Sequence, residues 1–287
     1  MIDKKVIFIL AAAILLNGFF YAYILANGKE KTAVYFLDVG QGDAEMAILP
    51  GSRTARFLID GGPDRSVLEE LSKIMPFFSK RIDLISISHP QEDHMGGISY
   101  VAESFKTGGF VSSGEIGKGE AWEKLERALE KNKTNIINLA AGDKIKYGEN
   151  EILVLNPETG KKTDMNESSL VLLLKNPKMN VLFTGDIGKK TEEKIVADLR
   201  KNGEAEEIDV LKVAHHGSKN SSGEDFIAAL KPKVSVIEVG KNSYGHPTKE
   251  VLNRLAEIRS LIFRTDKKGT MKVEAGEDNK IKVYEIE

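Results

Sequence analysis

The chain has 287 residues, with 41 basic and 43 acidic side chains and a formal net charge of −2 at pH 7. That length can hold one large domain or two small ones with a sizeable core, and the balance of charge excludes a broad basic field that would hold nucleic acid non-specifically. Cysteine is absent, which excludes disulfides, zinc–thiolate sites and thiol nucleophiles.

Val6 to Ala26 carries no charge, and Asn17 is its only strongly polar residue. As a helix this run spans roughly 31 Å, about one hydrocarbon core. Phe19, Phe20, Tyr21 and Tyr23 resemble an aromatic belt toward one end. The expectation is an uncleaved transmembrane anchor over residues 1–28, with residues 29–287 outside the cytoplasm. The alternative is secretion after signal cleavage. It fits less well, because the apolar run exceeds a usual signal h-region and Ile24-Leu25-Ala26 lacks a small residue at −3.

Beyond Lys31, short runs rich in Val, Ile and Leu, bounded by Gly, Asn, Asp or Pro, predict strands. In chain order they are Ala33–Leu37, Glu45–Leu49, Arg56–Ile59, Asp83–Ile87, Gly109–Ser112, Ile136–Leu139 and Glu151–Leu155. Leu170–Leu174, Val181–Phe183, Val210–Val213, Val234–Val239, Leu261–Arg264, Thr270–Glu274 and Ile281–Tyr284 follow. Helical periodicity covers Ser66–Lys73, Gly97–Ser104, Ala121–Asn132, Lys190–Arg200, Gly223–Leu230 and Lys249–Ile258, with Ser222 and Thr248 as N-caps. Trp122, in line with Leu125 and Leu129, reads as core. Strand clusters with solitary helices predict an α/β domain of sheets covered by helices, and no linker divides it. Pro157 to Ser169 is the longest polar interruption, either a border of a site or a surface loop.

All five histidines fall at strand ends or in the loops after them. His89 and His94, with Asp93 between them, follow the apolar run Ile82 to Ile87. His215 and His216 follow the strand from Val210, and His246 lies in a turn after the strand from Val234. Open sheets place ligands outside the carboxyl ends of their strands, where turns let side chains converge. Imidazole nitrogens and the hard oxygen of Asp93 suit Zn, Mn or Fe. Asp186 follows an apolar strand and Gly185, so it projects from a sharp turn and can bridge two metals. Asp60 is placed behind the metal loop, where a carboxylate fixes ligand orientation. The glycines of Gly40-Gln41-Gly42-Asp43 permit a tight turn, with Asp43 either behind the site or a local turn residue. Ser218 reads as a turn hydroxyl, not a nucleophile. Lys189, Lys190 and Lys219 are solvated charges able to meet a phosphate backbone.

The ordered set Leu37-Asp38-Val39-Gly40-Gln41-Gly42-Asp43-Ala44, Ile59-Asp60-Gly61-Gly62, His89 to Gly97, Phe183-Thr184-Gly185-Asp186, His215-His216-Gly217-Ser218 and Tyr244-Gly245-His246-Pro247 resembles the metallo-β-lactamase superfamily. Within it, the chain is most similar to the hydrolase domain of ComEC-type DNA-uptake (competence) proteins, from about residue 33 to the C-terminus. The resemblance implies an αββα sandwich with a metal site at the edge between its sheets. It also implies one metal position of Asp93, His94, Asp186 and one of His215 or His216. His216 is favoured as ligand and His215 as substrate-facing, because neighbours on an extended backbone point opposite ways.

Against the superfamily pattern His-x-His-x-Asp-His, Gln91 stands in place of the second His. The half-site of His89, Gln91 and Asp186 is therefore expected to hold its metal loosely. The third-motif His is also absent, with Asn166 or Glu167 near its place. One strong and one weaker divalent position follow, for Zn²⁺ or Mn²⁺, and a bound metal would lower the pKa of its water to about 7 and supply a hydroxide nucleophile. His246 either contacts substrate or protonates the leaving group, or else packs its loop, and Asp93, His215 and His246 are the candidate catalytic residues.

The expected function is a membrane-anchored, extracytoplasmic phosphodiesterase, a nuclease acting on DNA. One alternative is a lipid-headgroup or wall-polymer phosphodiesterase, similar to phosphorylcholine esterases and favoured slightly by the near-zero net charge. The other is a catalytically weakened binding module, motivated by Gln91. β-Lactamase activity is not expected, since the ligands of its first zinc site are incomplete.

Overall fold

The computed structural model describes residues 3–27, 31–160, 164–201, 208–278 and 280–286. The chain divides into two units, 1–31 and 32–287. The expected boundary between residues 28 and 29 lies outside the described residues, as do residues 161–163 of the polar loop Pro157 to Ser169.

The first unit carries helix α1 (Lys4–Asn27). Among the described residues no helix is long and apolar enough to cross a membrane, and this overturns the expected anchor. Lys4 and Lys5 fill the first turn, and Asn17 turns its side-chain amide back onto the carbonyl of Ala13 at 2.8 Å. The membrane as a partner, and the location outside the cytoplasm that rested on the anchor, fall with it.

In the second unit the chain lays down most of one sheet, then the other, and finally returns to the first. The first series is β1 (Ala33–Phe36), β2 (Glu45–Leu49), β3 (Ala55–Ile59), β4 (Arg81–Ser86), β5 (Lys106–Ser112) and β6 (Asn135–Asn138). The second is β7 (Lys144–Tyr147), β8 (Asn150–Asn156), β9 (Val171–Asn176), β10 (Met179–Phe183), β11 (Val210–Lys212), β12 (Val234–Ile237) and β13 (Leu261–Arg264). Then β14 (Met271–Ala275) and β15 (Ile281–Glu285) close onto β1, giving the orders β15-β14-β1-β2-β3-β4-β5-β6 and β13-β12-β11-β10-β9-β8-β7.

Period-two alternation builds three apolar layers from these strands. Phe57 and Ile59 of β3 face Val181 and Phe183 of β10 across the space between the sheets, while Leu58 and Leu182 point outward. Phe36 and Phe183 meet there with ring centroids 6.5 Å apart. Each such fully buried side chain contributes about 1.5–3 kcal/mol. The outer face of the first sheet packs under α2 (Ser66–Ile74), α4 (Ile98–Ser104) and α5 (Glu120–Lys131), beyond the one-turn α3 (Glu92–Met95). The outer face of the second packs under α6 (Lys189–Lys201), α7 (Glu224–Leu230) and α8 (Lys249–Glu257), and a short α9 (Thr265–Lys268) precedes β14. The result is an αββα sandwich.

Strand β7, with the sequence Lys-Ile-Lys-Tyr, was not expected, because its exposed lysines mask a short edge strand. Ser222 does not cap α7. The Glu192 carboxylate does, accepting from the Ser222 and Gly223 amides at 2.5 and 2.8 Å. Thr248 stands at the start of α8, but its hydroxyl donates to the Gly217 carbonyl at 3.2 Å and so ties the helix to the His216 turn.

β3 to β6 run parallel, as do β10 to β13. The loops leaving β3, β4, β10, β11 and β12 therefore emerge at one edge, and these loops carry Asp60, the His89–His94 segment, Asp186, the His215–His216 pair and His246.

Candidate metal centre

The loop after β4 is organised by Asp60. Its carboxylate accepts from the Ser88 amide at 2.6 Å and the Ser88 hydroxyl at 2.7 Å. An ionised carboxylate can only accept, so His94 Nδ1, 2.8 Å from Asp60 Oδ2, donates to it and turns Nε2 inward. The single turn α3 holds His94 wholly buried, with its ring 4.2 Å from that of His89. His89 Nδ1 lies 3.0 Å from Ser88 Oγ, which leaves its Nε2 facing the same space.

Asp186 is delivered from the second sheet by Gly185. That residue has φ +52°, and a Cβ there would come within 2.9 Å of the Cβ atoms of Ser88 and Ser169. Asp186 Oδ1 lies 3.4 Å from His94 Nε2, and Oδ2 lies 3.7 Å from His215 Nε2 and 3.9 Å from His216 Nε2. Asp93, one-third exposed, places Oδ2 3.4 Å from His216 Nε2.

The backbone at His215 and His216 is not extended. Both residues have φ +52° in a tight 3₁₀ turn. Their rings diverge, at 78° to one another, because two left-handed residues turn the chain; the expected strand-like alternation is not the cause. His216 is buried and donates Nδ1–H to the Glu238 carbonyl at 2.9 Å, while His215 stays about one-third exposed.

Gln91 is half-buried and donates its amide to Asn166 Oδ1 at 2.7 Å. Glu167 points away, to Thr191 of α6, whose amide it accepts at 3.2 Å and whose hydroxyl it also contacts. The neutral amide pair Gln91–Asn166 thus sits beside His89, and Glu167 has a structural role.

Asp43 is fully buried beneath the histidines, with Oδ1 3.2 Å from His216 Nδ1 and Oδ2 3.5 Å from His94 Nδ1. Gly42, at φ +151°, lets this loop meet the backbone of Asp93, where a Cβ would stand 2.3 Å from the carbonyl oxygen. Lys212 is wholly buried too. Its ammonium contacts Asp43 Oδ2, donates to the Gly185 carbonyl at 3.0 Å and lies 3.9 Å from Asp186 Oδ1. The sequence reading missed this lysine, and Glu45 and Glu238 with it. A signal was available: strand alternation puts Lys212 on the inner face with Val210, and Glu45 on the inner face with Ala47 and Leu49.

These charges set the protonation of the site. Burial opposes charge on His94, but Asp186, Asp43 and Asp60 outweigh it and hold the imidazole well above its usual range. His216 is likewise raised against burial, by Asp43 and Asp186, to about 10. His89 goes down to about 4, through burial and then the charge of His94. Burial opposes ionisation of Asp93, yet its contact with His216 and the charge of His94 bring it down to about 2. Glu45 is pushed well up by burial and the charge of Glu238, and Glu238 is pushed well up by burial and the charge of Asp43.

Among the described residues, His89 Nε2, His94 Nε2, His216 Nε2 and Asp186 Oδ1 are buried and make no hydrogen bond. An unsatisfied buried polar atom costs about 1–3 kcal/mol, so four facing one space call for a cation between them. Donor atoms within 4.8 Å of one another group as His89–His94–Asp186, Asp93–His94–His216 and Asp43–Asp60–His94. The first two groups, imidazole nitrogens with carboxylate oxygens, fit a divalent metal ion. His94 joins both groups, whereas the sequence reading gave it to one position only.

Residues 46–240 match the model of the metallo-β-lactamase superfamily. The chain is 32% identical over 270 residues to ComE operon protein 3 of Bacillus subtilis, covering 88% of this chain and 34% of that protein. It is 27% identical over 256 residues to Recombination protein 2 of Haemophilus influenzae, covering 87% and 30%. It thus spans about a third of the length of these curated relatives. Among solved structures, CmlA, a diiron β-hydroxylase from Streptomyces venezuelae, shares the fold at TM-score 0.56 and 14% identity, covering 85% of this chain and 54% of that one. With the family model matched across both sheets and His and Asp donors gathered at their shared edge, the chain belongs to the metallo-β-lactamase superfamily and is a metal-dependent hydrolase.

Proposed function

We propose that the site cleaves phosphodiesters of nucleic acid, as a hydrolase domain of the ComEC type. The observation that carries this reading is the convergence of buried, unpartnered donor atoms from His89, His94, His216 and Asp186 beside two less buried histidines, His215 and His246. Substrate class is supported by relatives named for recombination and competence. Exposed Lys189 and Lys190, which open α6 after Asp186, and exposed Lys219 after the His216 turn favour an anionic substrate.

When bound, a divalent ion supplies Lewis acidity and charge neutralisation at the scissile phosphoryl group. Asp93, His94, His216 and Asp186 would hold the stronger position. His89 and Asp186 would share a weaker one with Gln91, whose amide nitrogen is already committed to Asn166. Mn²⁺ and Zn²⁺ both suit this nitrogen and oxygen set. Asp60 and Ser88 keep His94 in one tautomer with Nε2 inward. His215, beside Asp186 and open to solvent, would meet the phosphate. His246 lies with its ring 5.8 Å from that of His215, and burial and the charges of His215 and His216 lower its pKa. A neutral imidazole there can take a proton and pass it to the leaving oxygen.

The test is cleavage of end-labelled DNA by the full chain with Mn²⁺ or Zn²⁺, beside Asp186→Ala and His94→Ala. Metal-dependent cleavage that both substitutions abolish is the expected result. Bound metal without DNA cleavage would move the substrate to small phosphodiesters.

A further inference from the structure

The loop after β12 runs from Gly240 to Thr248 alongside the metal centre, and the side chain of Asn242 folds it. The Asn242 amide donates to the Gly240 and His246 carbonyls at 3.0 and 2.9 Å, and its oxygen accepts from the Tyr244 and His246 amides, both at 3.1 Å. The Gly240 amide donates in turn to Gln41 Oε1 at 3.2 Å, tying this loop to the Asp43 loop of the other sheet. One asparagine thus satisfies four backbone groups, which fixes the loop without a packed core of its own.

On this fixed loop Tyr244 is 74% exposed. Its ring centroid is 5.7 Å from that of His246, at an interplanar angle of 32°. The His246 ring lies 5.8 Å from that of His215, and His215 Nε2 lies 3.7 Å from Asp186 Oδ2. Three rings therefore lead stepwise from solvent to a candidate metal ligand. Exposed Lys241 and Lys249 flank the outer end, and exposed Lys219 follows the His216 turn.

We propose that Tyr244, backed by His246, is the platform on which a nucleobase adjacent to the scissile phosphate stacks. This inference rests on the phosphodiester reading above and adds a base subsite to it. A ring held open by its loop can take a base on its free face at little ordering cost, since it is already fixed. Stacking on an aromatic face is sequence-tolerant because every base has a π-face. The subsite therefore selects nucleic acid over base-free phosphodiesters and discriminates weakly among bases. The flanking lysines follow the backbone, and His246 and His215 direct the phosphate inward.

The experiment is steady-state cleavage, by the full chain loaded with Mn²⁺, of a short single-stranded oligonucleotide and of an abasic strand of equal length. Tyr244→Ala is expected to raise KM for the normal strand about 5- to 150-fold, with kcat changed much less. Tyr244→Phe, which keeps the ring, is expected to retain the parent KM. The abasic strand should begin with a high KM that Tyr244→Ala barely changes. Fluorescence of 2-aminopurine placed in the strand should be quenched on binding to the parent and to Tyr244→Phe, and not to Tyr244→Ala. An unchanged KM in Tyr244→Ala, or equal losses on normal and abasic strands, overturns the platform and leaves the phosphodiester reading intact. If the parent protein binds metal but cleaves neither strand, the phosphodiester reading fails and the platform fails with it.

Discussion

The side-chain amide of Gln91 donates to the amide oxygen of Asn166 at 2.7 Å, beside His89. The family pattern places histidines at or near these two positions, and here two neutral amides are joined by one hydrogen bond. Replacing both by histidine should therefore add donors where His89 Nε2 stands unpartnered. The double variant Gln91→His/Asn166→His is expected to move bound Mn²⁺ or Zn²⁺ from about one ion per chain toward two. Equilibrium dialysis with elemental analysis measures this, and an unchanged stoichiometry would show that the amides do not limit loading.

Lys212 and Asp43 form an ion pair with both side chains fully buried. Removing one partner of such a pair leaves an uncompensated charge and costs roughly 3–5 kcal/mol. Lys212→Met should lower the unfolding free energy of the metal-free protein, read from denaturant titration, by about that amount. The companion Lys212→Met/Asp43→Asn, which removes both charges, should recover much of the loss. Equal stability of the single variant and the parent would contradict the pairing.

Asp60 holds His94 through Nδ1 at 2.8 Å. Carboxylates behind metal-binding histidines typically contribute 10- to 100-fold in affinity, so Asp60→Asn should weaken Mn²⁺ or Zn²⁺ binding by about that factor. Isothermal titration calorimetry gives the comparison, and equal affinity would remove Asp60 from any role in orienting the ligand.

Metal uptake should release protons. In the metal-free protein His94 is held well above its usual pKa and His216 is raised to about 10, so both are charged at pH 7 and must lose a proton to become ligands. His89, at about 4, is already neutral. Titrations in buffers of different ionisation enthalpy should show up to about two protons released per ion at pH 7, with affinity rising as pH rises. Folding of the metal-free protein has the opposite pH dependence. A histidine whose pKa is raised on folding stabilises the native state fully below about 6.5. For His216 that contribution is lost as pH rises through about 10. Metal affinity independent of pH would show that these charges are absent.

Much of the fold was legible because apolar runs bounded by turn residues mark strands whatever their neighbours. Among the described residues, the short edge strand β7, the single-turn helices α3 and α9 and the 3₁₀ turn at His215 and His216 escaped. The N-terminal helix misled for a related reason. Local hydropathy gave it the look of a membrane span, whereas among the described residues none is long and apolar enough.

The sequence by itself determined which donors exist and that they sit at strand ends, since strand, turn and histidine are local features of the chain. Tertiary structure alone decided their grouping. His94 faces Asp186 and Asp93 together because two parallel strand sets end at one edge. Lys212, Asp43 and the Glu45–Glu238 pair meet because their inner faces close on one another across the sandwich. Burial and charge coupling arise only between segments far apart in the chain. Spacing along the sequence could therefore name candidate ligands but not their protonation, their partners or the aromatic path to solvent.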